Sequence, residues 1–158
     1  MNDRKRKDLN MKRAFRLLIT TVLIAAFVFC MSGCGFKQGA FLDEKVSELI
    51  DCFAAQDADG SYALIYPDGT DMERYLSSVE KIYEYFPITP GYSVERQEFS
   101  YKKSLSDGSD IIEGQYQVEF GGKVFYIIVT WRTDDEVSGF TNFYAFNEED
   151  WAKAQENK

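Results

Sequence analysis

Asp57-Ala58-Asp59-Gly60 offers two carboxylates and a glycine in the manner of a calcium loop. With Gly60 at the sixth position of such a loop, Ala55 falls at the first and Tyr66 at the twelfth, where carboxylates are required. The four residues therefore read as a turn and a helix cap. Gly121-Gly122-Lys123 has the composition of a phosphate-binding turn, but it lies between two alternating segments. A P-loop needs a longer glycine-rich turn between a strand and a helix, so these glycines read as a hairpin. A reactive thiol at Cys52 would need a base or a positive field to lower its pKa. The chain has no histidine, and spacing sets neither Lys45 nor Lys81 beside it; Cys52 reads as a small core residue. The acidic runs Asp134-Asp135-Glu136 and Glu148-Glu149-Asp150 have the ligand type for a divalent cation. Neighbouring carboxylates in one turn rarely converge on one ion, so both read as solvated rims. No metal site, no cofactor and no catalytic residue is expected.

One cysteine has a context of its own. Cys34 follows Ser32-Gly33, after a basic opening (Arg4, Lys5, Arg6, Lys7, Lys12, Arg13, Arg16) and a 13-residue, mainly apolar run from Leu17 to Phe29. A basic head, an apolar core and a small-residue exit make a secretory signal. The basic head stays on the cytoplasmic side while the apolar run enters the bilayer. Met31-Ser32-Gly33-Cys34 resembles the lipobox of bacterial lipoproteins, with Met31 where Leu is usual. The resemblance implies cleavage before Cys34, thioether lipidation of its thiol and retention on the extracytoplasmic face of the cell membrane. Two other readings stay open: ordinary cleavage, and an uncleaved anchor. A span needs about 20 apolar residues, and Leu17–Met31 supplies 15. Met11-Lys12-Arg13 also reads as a signal start, which leaves Met1 and Met11 as alternative first residues.

Residues 1–33 carry seven Lys/Arg and two Asp/Glu out of 18 and 26, leaving 11 and 24 over residues 34–158, a net charge of −13. Such acidity repels nucleic-acid phosphate and anionic bilayers. A nucleic-acid partner is excluded, and attachment to a membrane is left to the lipid on Cys34. With Cys30 in the signal and Cys34 acylated, Cys52 has no partner for a disulfide. Packing must hold the fold.

The elements follow from periodicity. After a tether over 34–40, a single domain is expected over 41–158. Leu42, Val46, Leu49, Ile50 and Phe53 make one stripe of a helix from Phe41 to Ala55. Ser61 is expected to cap a short helix through Tyr66, and Pro67-Asp68-Gly69 to turn. Asp71 caps a third helix with Met72, Tyr75, Leu76, Val79, Ile82, Tyr83 and Phe86 on one face, ended by Pro87 and Pro90-Gly91. Then the period becomes two. Tyr92–Leu105 is a weakly patterned strand. Ile112, Gly114, Tyr116, Val118 and Phe120 alternate with polar residues, two of them Glu113 and Glu119. Val124–Arg132 is apolar on both faces and so central, and Val137–Phe146 follows. Asn147 caps a last short helix carrying Trp151.

Helices followed by an antiparallel meander predict an α+β fold. Three helices before a curled four-stranded sheet, with the phrase Val46-Ser47-Glu48-Leu49-Ile50-Asp51-Cys52-Phe53-Ala54-Ala55-Gln56-Asp57, resemble the NTF2-like, cystatin-like superfamily. The resemblance implies a cone whose sheet and helices can enclose an apolar cavity. Tyr62, Tyr66, Tyr75, Tyr116, Tyr126, Trp131 and Tyr144 are the candidate lining, each bringing area and a polar tip; the alternative is that these rings fill the cone. Members of this superfamily include isomerases, dehydratases, cyclases and binding proteins. The leading expectation is a binding or accessory module for an envelope protein or an apolar small ligand. The rival is an enzyme using an Asp or Glu base beside a Tyr hydroxyl, and a third reading is a plain spacer.

Overall fold

The computed structural model describes residues 37–67, 71–104 and 106–156. The signal, Cys34 and the central residues of the turn after Pro67 lie outside the described residues. Residues 38–158 make one compact unit. The first helix, α1, is described over 37–55, so it begins inside the segment read as a tether. Gly39 lies buried beside the Arg96 guanidinium, and this contact draws residues 37–40 into the helix. The predicted stripe is the buried face: Leu42, Val46, Leu49 and Ile50 are wholly inaccessible and Phe53 nearly so. Gln56 takes a left-handed φ of 55° and the Asp57 N–H bonds back to Cys52 O at 2.8 Å, a Schellman-type close.

Helix α2 spans Ala58–Ala63, and its cap is Asp57 rather than Ser61: the carboxylate accepts from the Gly60 N–H at 2.9 Å. Ser61 instead sits buried inside the helix, donating to Ala58 O at 3.0 Å and accepting from Tyr75 Oη at 2.8 Å. A hydroxyl with buried partners is a poor cap, because the cap must face the free N–H groups of the first turn. Helix α3, Met72–Tyr85, starts as expected at Asp71, which accepts from the Arg74 N–H. Tyr75, Val79 and Phe86 are buried, while Leu76 at the margin of the stripe is exposed.

Strands β1 (Ser93–Lys103), β2 (Asp110–Phe120), β3 (Lys123–Thr133) and β4 (Ser138–Asn147) form an antiparallel sheet in sequence order. The weak pattern of β1 has a cause. A bulge between Arg96 and Glu98 shifts the register, so the core-facing positions change from Val94 and Arg96 to Phe99 and Tyr101. One extra residue inverts the alternation beyond it. Gly121 and Gly122 have φ of 55° and 75°, the two positive angles that a tight two-residue hairpin turn demands. β3 is interior, as its two apolar faces predicted. Its Phe125, Ile127, Val129 and Trp131 join α1 and α3 in the core. The other face meets helix α4 (Glu148–Glu156), whose Trp151 stacks on Tyr126 with centroids 4.9 Å apart. Asn147 caps α4 through the Asp150 N–H at 2.9 Å. The fold is α+β, with three helices before the sheet and one after it. Among the described residues no helix is long and apolar enough to cross a membrane.

The core is dominated by rings. Phe86 meets Phe120, Phe125 and Phe143 at 5.5, 5.1 and 6.1 Å, and Trp131 is wedged edge-on between Phe41 and Phe140. A polar atom breaks the pattern: among the described residues the buried Tyr83 hydroxyl has no partner within hydrogen-bond geometry. Burial pushes its pKa up, with nearby Ser61 acting in the opposite direction. A buried unpaired hydroxyl costs about 1–3 kcal/mol. Tyr83→Phe is therefore expected to leave the urea midpoint unchanged or raise it. Tyr75→Phe, which removes a real bond to Ser61, should lower stability by about 1 kcal/mol. A larger loss in Y83F than in Y75F would show that the Tyr83 hydroxyl has a partner.

Candidate functional site

The seven aromatic residues expected to line one pocket divide among three places. Tyr75, Tyr116 and Trp131 are buried in the core. Tyr126 and Tyr144 lie on the opposite sheet face, paired with Phe146 and Ile128 on the neighbouring strand; Tyr126 is covered by Trp151 and Tyr144 is 54% exposed. The alternation of β2 and β3 causes this split, since Tyr116 pairs with Ile127 while Tyr126 pairs with Gln117. Tyr62 and Tyr66 line a common cleft.

That cleft, of about 360 Å³, is bounded by Tyr62 and Ala63 at the end of α2, by Ile65, Tyr66 and Pro67, and by Val137 and Ser138 where β4 begins. Its two walls are joined by backbone. The Tyr66 N–H donates to Phe140 O at 3.0 Å and the Phe140 N–H to Leu64 O at 2.8 Å, making a parallel bridge between Ile65 and Phe140. Gly139 allows this approach: a Cβ there would lie 2.4 Å from the Tyr66 backbone nitrogen, closer than any side chain tolerates.

Behind the cleft, polar groups lock Tyr66 in place. Its hydroxyl donates to Asp134, and the Arg132 guanidinium lies over its ring, 5.2 Å from the centroid. Arg132 Nε donates to Asp134 Oδ1 at 3.1 Å and Nη2 to Asp107 Oδ2 at 3.2 Å. The bond to Asp134 raises the Tyr66 pKa, and the same bond, with Arg132, lowers that of Asp134. Asp107 is held down at about 2, first by Ser104 and then by the hydroxyl and N–H of Ser109. The charges are therefore fixed across the physiological range, and the cluster orients Tyr66 without moving protons.

A second hydroxyl–carboxylate pair is the kind that proton transfer uses. Tyr116 Oη donates to Asp43 Oδ1 at 3.0 Å, and Arg96 Nη1 reaches both Asp43 oxygens at 3.0 Å. Tyr116 is 1% exposed. Leu42 and the Tyr116 ring already crowd the space beside Gly114, where an added Cβ would meet them at 2.7 and 2.6 Å. Desolvation raises the Tyr116 pKa, reinforced by the Asp43 charge. The pair ties α1 to the sheet, with the Tyr116 ring buried and the Asp43 side chain open to solvent. Cys52 is half-buried, and its pKa is raised by burial first and then by Asp57, Asp51 and Glu48, so the thiol stays protonated. Glu113 accepts from Ser100 and Lys102 on the outer sheet face. Among the described residues no three His, Cys, Asp or Glu side chains converge to hold a metal.

Arg132, Asp107, Asp134, Ile65, Pro67, Val137 and Ser138 were not among the expected site residues. Asp134 was visible only as part of an acidic run, and its bond to Tyr66 spans 68 positions, beyond any local pattern. No protein-family model matches this sequence, and no curated protein matches it.

Proposed function

We propose that this chain is a bacterial lipoprotein, anchored through Cys34 on the extracytoplasmic face of the cell membrane. Its folded part is of the NTF2-like, cystatin-like kind and serves as a binding or accessory module rather than as an enzyme. The ring-filled interior carries the second half of this reading. In a cone-shaped enzyme the space between helices and sheet would admit a substrate; here Phe86, Phe120, Phe125 and Phe143 interlock there. The surface cleft at Tyr62 and Tyr66 is open to a ligand, a place for an apolar ligand or a segment of an envelope protein. The basic head, the apolar run and Ser32-Gly33-Cys34 support the anchor.

The test is mass spectrometry and fractionation of protein from an expressing bacterium. The wild type is expected to begin at Cys34, to carry a diacylglyceryl mass there and to sediment with membranes. Cys34→Ala is expected to lose the acyl mass entirely. An unacylated wild-type amino terminus, or an intact leader, would remove the lipoprotein assignment.

A further inference from the structure

The cleft beside Tyr66 has walls of one chemical character and a mouth of another. Tyr62, Ile65, Pro67 and Val137 give it an apolar, aromatic wall, and Val137 is 39% exposed. Asp135 and Glu136, both exposed, immediately precede Val137. Asp59, also exposed, lies three and four positions before Tyr62 and Ala63 on α2, a spacing that shares one helix face. Exposed carboxylates therefore adjoin both walls of the cleft along the chain, next to the lining residues rather than among them. Arg132, the cation behind it, is held by Asp134 and Asp107 and turned onto the Tyr66 ring, so it does not neutralise the mouth.

We infer that this cleft seats a cationic amphipathic peptide segment of a partner protein. A Lys or Arg side chain lays its methylenes along Tyr62 and Val137 and leaves its charge with Asp59, Asp135 or Glu136. Neighbouring apolar residues of the peptide occupy the wall at Ile65 and Pro67. An anionic segment meets like charges beside the cleft, and a purely apolar one gains no attraction from them. The fold already makes such a contact once, with Arg132 against Tyr66 and Asp134. The net charge of −13 over residues 34–158 draws a cationic partner from a distance and speeds its encounter.

The inference rests on the binding-module reading but not on the lipid, so full-chain wild type and C34A are assayed side by side in a nonionic detergent. The probes are a 12-residue Lys/Leu peptide, its Glu/Leu counterpart and a Lys/Ser peptide of equal charge. Binding is followed by calorimetry, with chemical-shift mapping by NMR. The Lys/Leu peptide is expected to bind both proteins, perturbing Tyr62, Tyr66 and Val137, and to outbind both other peptides. The triple variant D59N/D135N/E136Q alters exposed side chains only, and is expected to weaken binding roughly tenfold. Equal binding of the Lys/Ser peptide, shifts centred on Glu148–Asp150, or an unaffected triple variant would each overturn the proposal. Binding by C34A alongside failed acylation of the wild type would overturn the anchor and leave the cleft assignment standing.

Discussion

Phe86→Ala is expected to lower the stability of the folded domain by about 3–5 kcal/mol. The ring is wholly buried and touches Phe120 and Phe125 from β2 and β3 and Phe143 from β4. Its removal therefore opens a cavity where α3 ends on three strands, and no single neighbour can close it. A domain of this size has a total stability of roughly 5–15 kcal/mol, so the loss is a large share. The guanidinium midpoint of F86A measures it, and F86L should lose under about 1.5 kcal/mol because most of the volume stays. A shift within about 0.5 kcal/mol, the range of surface changes, would mean that Phe86 does not hold these elements together.

Alkali is expected to unfold the domain cooperatively. Tyr75, Tyr83, Tyr85, Tyr92 and Tyr116 all have pKa values raised first by burial, and Tyr66 is raised first by its bond to Asp134. For Tyr75 the value is pushed up to about 12 from an ordinary 10. A raised acid favours folding while it stays protonated: its contribution is complete below pH 10, where the unfolded chain would also be neutral. The contribution fades as pH climbs toward the folded values, because only the unfolded chain releases the proton freely. Stability should hold to about pH 10 and then fall steeply. Tyrosinate absorbance and far-ultraviolet circular dichroism should then change together. Ionisation of all ten tyrosines near pH 10, with the dichroism intact, would contradict the buried positions of these rings. At the acid end Asp107 and Asp134 behave oppositely. Their lowered values add stability above about pH 4 that is lost as pH falls toward 2.

Much of the architecture was legible because its signals are local. The stripe from Leu42 to Phe53, the cap at Asp71, the alternation from Ile112 to Phe120 and the glycine pair at the hairpin each need only a few neighbouring residues to read. The places where reading failed depend on distant partners. Ser61 has the residue type of a cap, but Tyr75 draws its hydroxyl into the interior. The start of α1 depends on Arg96 packing beside Gly39. The β1 bulge weakened the pattern of a strand that was still read as one, by shifting its parity. The candidate pocket failed for the same reason: sheet parity decides which tyrosines share a side, and Tyr126 fell opposite Tyr116. The reading of Cys34 rests on a contiguous string of residues and draws on no part of the described fold.

Among the described residues, five tyrosine hydroxyls donate to aspartates: Tyr66 to Asp134, Tyr85 to Asp150, Tyr92 to Asp51, Tyr101 to Asp110 and Tyr116 to Asp43. A chain with many more carboxylates than cations has used phenols as its cross-braces. Such a brace joins a charge to a dipole, so dissolved ions weaken it less than they weaken a pair of opposite charges. The domain should therefore keep its shape from dilute fluid to brine.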